Sequence, residues 1–123
     1  MHEDEAVVVF MDLHPVAPGH LLVVPREHAA GLEDLDEAVS AHVWSVGRRM
    51  AHALRRSRLA CQGINLLVCD GEVALQTVFH FHLHVIPRYT AGEWVLPPDP
   101  PQAEAAVLES HARVIADALA VID

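Results

Sequence analysis

Three histidines, His80, His82 and His84, recur at every second position of the stretch FHFHLHVIPR over residues 79–88, and Phe79, Phe81, Leu83 and Val85 fill the places between them. This is the period of a β-strand with one apolar face and one imidazole face, its histidine Cβ atoms about 6.6 Å apart. Each imidazole brings two polar nitrogens that need partners, so a row of three is no solution to a packing problem and reads as a chemical site. Two chemistries suit the pattern. Histidines at i and i+2 on a strand can ligate one zinc ion, with His20 from a neighbouring strand as a third ligand and an open position for a water. Alternatively, a neutral imidazole nitrogen is a nucleophile toward phosphorus, and a second imidazole can hand a proton to the leaving group. The loop before the strand offers backbone N–H groups, Gln76 and Thr77 as donors to phosphate oxygens. Spacing alone leaves the two chemistries level.

These groups need a sheet to present them. Residues 6–11 (AVVVFM) form a short apolar run that reads as a strand, residues 12–19 (DLHPVAPG) carry two prolines and a glycine and read as a turn, and residues 20–25 (HLLVVP) read as a second strand, the pair making a hairpin. A long amphipathic helix is predicted over about 33–58, because Leu32, Leu35, Val39, Val43, Val46, Met50 and Leu54 recur at spacings of three and four. Asp34 or Asp36 would cap its start, and Arg55, Arg56 and Arg58 suit the negative end of its dipole. Residues 63–69 (GINLLVC) read as a third strand, Asp70-Gly71 as a turn, and residues 72–77 as the loop into the histidine strand, which Pro87 ends. A proline-rich arm over 90–101 leads to a final helix over about 102–122 with Leu108, Ile115, Leu119 and Ile122 on one face. The fold class that follows is α+β, an antiparallel sheet with the long helix on one face and the imidazoles open to a ligand on the other.

The chain of 123 residues suffices for one domain with a modest core. Its 52% hydrophobic and 20% charged residues are those of an ordinary globular protein, and no apolar run approaches the ~18 residues of a membrane span. The net charge of −9 argues against a nucleic-acid backbone as partner. The acidic start, MHEDE, lacks the features of a signal peptide, so the expected location is the cytoplasm. Cys61 and Cys69 form no Cys-x-x-Cys pair and read as small buried hydrophobes.

The triad, preceded by Gln76-Thr77-Val78-Phe79, resembles the signature of the histidine-triad (HIT) family of nucleotide hydrolases and transferases. Upstream, the similarity takes in Gly63-Ile64-Asn65-Leu66-Leu67, Asp70-Gly71, Phe10-Met11-Asp12-Leu13, Pro15, Pro18-Gly19-His20 and Val24-Pro25-Arg26-Glu27-His28, and so spans about residues 4–90. The resemblance implies a HIT-like α+β fold, a homodimer, and cleavage of a nucleoside phosphate ester, phosphoramidate or dinucleoside polyphosphate at the α-phosphorus. His82 would be the nucleophile and form a nucleotidyl-histidine intermediate, with His84 and His80 orienting it and the phosphate and His20 completing the relay. Asp12 would hold the ribose hydroxyls, Phe10 and Leu13 the nucleobase, and Gln76 and Thr77 the phosphate and leaving group. The implied partner is a small nucleotide, a purine nucleoside phosphate. The alternatives are a catalytically weak nucleotide-binding sensor or scaffold, and a metal-dependent hydrolase with the triad as ligands.

The chain departs from the family pattern at two places. Leu75 stands where the family has glycine, and it restricts both backbone conformation and close approach to phosphate. Cys69 stands where an asparagine commonly helps to bind the nucleotide. Many bacterial relatives also share a structural zinc between a Cys-x-x-Cys segment and two histidines that match His28 and His80. This chain has no such cysteines, so no structural zinc and no cofactor are expected.

Overall fold

The computed structural model describes residues 2–90 and 100–122. The proline-rich arm expected over 90–101 lies mostly outside them. The described chain runs β1 (His2–Glu3), β2 (Val7–Met11), β3 (Leu21–Pro25), α1 (Glu37–Arg56), β4 (Gly63–Leu67), β5 (Leu83–Arg88) and α2 (Ala105–Ile122). Five strands form one antiparallel sheet in the order β1-β2-β3-β5-β4. The α+β architecture is as expected, with β1 as an added edge strand.

Alternation sorts the sheet into two faces. Val7, Val9, Leu21, Val23, Leu83 and Val85 are buried on one, where α1 sets Val43, Val46 and Leu54 against them. Gly47 lets the helix come close, since a Cβ there would stand 2.6 Å from the Leu83 side chain. The opposite parity, Val8, Phe10, Leu22 and Val24, lies with His84 on the other face, in the pairings Phe10 with Leu22 and Leu22 with His84. The core therefore lies between α1 and the sheet, on the side away from His84.

Boundaries differ from expectation in ways the structure explains. The long helix starts at Glu37 rather than 33, because Asp36 is its N-cap and accepts from the Val39 N–H at 3.1 Å. A separate 3₁₀ turn takes Leu32–Asp34. The regular strand of the triad begins only at Leu83, so His80, in a bend, and His82 lie on the lead-in to β5. The ladder between β3 and β5 stops at Val23 and Leu83, and that between β4 and β5 at Leu67 and His84. Beyond them the lead-in is held by the Phe81 N–H donating to the Ala29 carbonyl at 2.7 Å and by its own imidazoles. The final helix starts at Ala105, three residues later than expected, and Leu108, Ile115, Leu119 and Ile122 are all exposed. No helix among the described residues is long and apolar enough to cross a membrane.

Candidate active site

His20 is fixed first. Gly19 takes φ +92°, and a Cβ there would meet the side chain of Leu59 at 2.9 Å, so the turn into β3 is tight against the core. His20 follows, 2% exposed, and its Nδ1 accepts the Val16 N–H at 3.0 Å. A nitrogen that accepts cannot carry the proton, so neutral His20 is protonated on Nε2. That N–H faces Nδ1 of His84 at 2.9 Å and donates to it, which leaves the proton of His84 on Nε2. Oδ2 of Asp12 stands 3.4 Å from His20 Nε2 and 4.0 Å from His84 Nδ1, while its Oδ1 accepts the His14 N–H at 2.8 Å.

The same reasoning settles the other rings. Nδ1 of His82 is 2.7 Å from the His80 carbonyl, which can only accept, so Nδ1 carries the proton and Nε2 keeps its lone pair. Nε2 of His80 donates to the Pro25 carbonyl at 2.8 Å, and its Nδ1 faces Nδ1 of His28 at 3.3 Å and accepts from it. His82 and His84 meet edge to face with ring centroids 4.9 Å apart. His82 is thus oriented by the main chain of His80 and the ring of His84.

Burial fits these protonation states. It pushes the His84 imidazole down to about 4, helped by the neighbouring His82 and His20 rings and opposed by the Asp12 carboxylate. Burial also lowers His20, again against Asp12. Both rings are neutral at pH 7.

Beside them lies a cleft of about 350 Å³ lined by Phe10, Leu22, Val24, Val78, His80 and His82. Leu22, Val24 and Val78 were not singled out from the sequence. The first two were findable, since they share the parity of Phe10 and the imidazoles along their strands. Among the expected site residues, Phe10, Asp12, His20, His80, His82 and His84 come together. Leu13 points into solvent at 89% exposure and does not line the cleft, and Cys69 is a half-buried free thiol past the end of β4. Thr77 is exposed. Gln76 is buried, and its amide is committed to the chain itself. Oε1 accepts the Gly71 N–H at 2.8 Å, and Nε2 donates to the carbonyls of Ala30 at 2.6 Å and Val78 at 3.0 Å. Its part is to shape the loop rather than to offer its amide to a phosphate. Leu75 takes φ +72°, the left-handed region that glycine enters freely, and closes a 3₁₀ turn with its side chain 80% exposed.

The rings do not form a coordination shell. His80 and His82 direct one nitrogen each at a carbonyl, and the facing nitrogens of His20 and His84 are bonded to one another. Among the described residues, the group of three ligand-type side chains with atoms within 4.8 Å is Asp12, His20 and His84, with a single triad member; its two imidazoles are hydrogen-bonded to one another and the carboxylate stands beside them. His28 and His80 gain no third partner of that kind among the described residues, and His2 instead bonds Asp4 at 2.9 Å.

Comparison with known proteins shows the family. A family model described as the HIT domain matches residues 1–91. An uncharacterized HIT-like protein of Borreliella burgdorferi is 39% identical over 90 residues, covering 72% of this chain and 65% of that protein. Protein hit of Bacillus subtilis is 36% identical over 93 residues, covering 76% and 63%. The matches thus span less than two thirds of these relatives' own length. A crystal structure of a HIT family protein from Bacillus anthracis superposes with a TM-score of 0.86 at 36% identity, over 96% of this chain and 85% of that one. A zinc-bound histidine triad family protein from Mycobacterium smegmatis does so with a TM-score of 0.73 at 37% identity, over 96% and 85%. The family match over the sheet and the triad, together with these relatives, identifies the chain as a member of the HIT family.

Proposed function

We propose that the protein is a nucleotide hydrolase or nucleotidyltransferase that works through His82. One observation carries the reading: Nδ1 of His82 is bound to the His80 carbonyl, so Nε2 holds a free lone pair on a ring that lines the cleft. In the first step Nε2 bonds to the α-phosphorus and the bond from phosphorus to the leaving group breaks. The leaving group takes a proton from Nε2 of His84, whose imidazolium form is favoured by the incoming phosphate charge. In the second step water or another acceptor attacks phosphorus, the N–P bond breaks, and His82 is restored. The apolar wall of Phe10, Leu22, Val24 and Val78 suits a nucleobase. Asp12, at the end of β2, is within reach of a ribose.

The test is release of AMP from adenosine 5′-phosphoramidate or a dinucleoside polyphosphate. His82→Asn is expected to slow it by about three orders of magnitude or more. Unchanged turnover in that variant would overturn the assignment. A second reading, a nucleotide sensor with little turnover, is favoured by the left-handed Leu75, which puts a leucine where phosphate would meet glycine. Tight nucleotide binding by calorimetry without AMP release selects it. We also infer a homodimer, since β4 is a sheet edge whose residues are only half-buried and whose outer side carries no strand among the described residues.

A further inference from the structure

We propose that Asp12 is a positioning residue for the leaving-group proton: its carboxylate is the counter-charge that lets the His20–His84 pair hold one proton more than its resting number. This rests on His82 as nucleophile and goes beyond it, to where the proton is stored.

The inference comes from counting protons. In the resting pair a single proton lies between His20 Nε2 and His84 Nδ1, because the Val16 N–H bars protonation of His20 on its other nitrogen. His84 cannot give away its outer proton from that state, since the imidazolate left behind is too basic to persist near neutral pH. It can give it away only if Nδ1 is protonated as well. Two N–H groups then face each other across 2.9 Å, and one must find another acceptor. Oδ2 of Asp12 is that acceptor, lying 3.4 Å from one nitrogen and 4.0 Å from the other. Both distances exceed the ~2.7–2.9 Å of a bond between ionised partners, so the oxygen stands beside the pair at rest and closes on it when the second proton arrives. The His14 N–H holds the other carboxylate oxygen in place.

The other groups around His84 that can carry charge are imidazoles, which oppose an added proton: His82 in a T-shaped contact and His20 itself. β3 brings Leu22 and β4 brings Leu67 opposite it, the exposed His14 meets the carboxylate through its backbone N–H, and α1 lies on the other sheet face. The opposition of Asp12 to the lowering of both imidazoles has the sign this requires.

The steps balance. His82 Nε2 bonds to phosphorus, the electron pair of the broken P–N bond stays with the departing amine, and the amine takes the Nε2 proton of His84. His84 is left neutral with its Nδ1 proton against Asp12 and a bare Nε2. That nitrogen accepts the proton of the attacking water and restores the loaded state.

Asp12→Asn keeps the size and the acceptor for His14 but removes the charge. Imidazole resonances followed by NMR through a pH titration of the free protein should show the His84 midpoint fall by about one pH unit or more in this variant. Asp12→Glu, which keeps the charge, should restore most of it. Kinetically, AMP release is compared for adenosine 5′-phosphoramidate, whose amine needs a proton, and for the p-nitrophenyl ester of AMP, whose leaving group departs as a stable anion. Loss of ribose contacts lowers both, whereas loss of the proton lowers the first, so the ratio of the two kcat values should drop at least about tenfold in Asp12→Asn and recover in Asp12→Glu. An unmoved His84 midpoint, or equal losses in kcat on both substrates, overturns the proposal. If the unaltered protein cleaves neither substrate, the hydrolase reading fails, and the NMR midpoint alone decides whether Asp12 supports the extra proton.

Discussion

The Val16 N–H orders the histidine rings without a side chain. By occupying Nδ1 of His20 it fixes the tautomers of two rings in succession, so that His84 presents N–H rather than a lone pair on its outer nitrogen. The same burial that keeps His84 neutral has a consequence for stability. The imidazole titrates at about 4 in the folded chain and at its ordinary 6.5 when unfolded. Both states are neutral at pH 7. As pH falls through 6.5 the unfolded chain takes up a proton that the folded chain refuses, so stability drops down to about pH 4 and this contribution then levels off. The urea midpoint should therefore fall between pH 7 and pH 5, and His84→Asn should flatten that slope; an equal slope in the variant would place the titration elsewhere. At this scale the sequence was most legible for the histidines, whose spacing marks a chemical site though it leaves metal and phosphorus chemistry level. It was least legible for Gln76, because whether a buried amide serves the backbone or a ligand depends on where Gly71, Ala30 and Val78 come to lie.

Elements were legible where periodicity is strong and blurred where side chains replace backbone partners. The alternation is real in burial over 80–85 but fails at Phe79, which is exposed, and regular pairing starts only at Leu83, His80 and His82 being held by carbonyls of Pro25 and His80 instead. Strand β1 escaped the sequence reading for the opposite reason: two residues have no period. It is fastened instead by Asp4, whose Oδ2 accepts from His2 at 2.9 Å and from His42 of α1 at 2.7 Å, and whose Oδ1 takes the N–H groups of Ala6 and Val7. The imidazole hydrogen bonds, and after them the backbone N–H of Ala6, hold this carboxyl well below the usual carboxylate range. Its contribution is present above pH 3.8 and is lost as pH falls through the depressed value. Asp4→Ala should speed amide exchange at residues 2–3 and at their partners Val8 and Val9 while sparing β5. Exchange unchanged at β1 would show that its pairing with β2 suffices.

For the whole molecule, the sheet order follows from one crossover. The chain leaves β3, passes through α1 and β4, and returns as β5 between β3 and β4, which brings His84 on β5 beside His20 at the head of β3 though they stand 64 positions apart. The antiparallel sense and the one-sided helix were legible in the sequence; this insertion was not, because short apolar runs do not say which neighbour they choose. The face of α2 that periodicity assigns to a core is exposed in the single chain, and β4 offers an edge. Light scattering should therefore give twice the mass of one chain, and the mass of one chain would refute the dimer. The anchors of the triad carry a last implication, for inheritance. His80 O, Pro25 O and the Val16 N–H are main-chain atoms, so drift in the genes that encode such chains can rewrite most neighbouring side chains without deleting them. Only a codon change to proline at position 16 removes one outright, and it would undo the ordering of His20 and His84 while leaving both histidines intact.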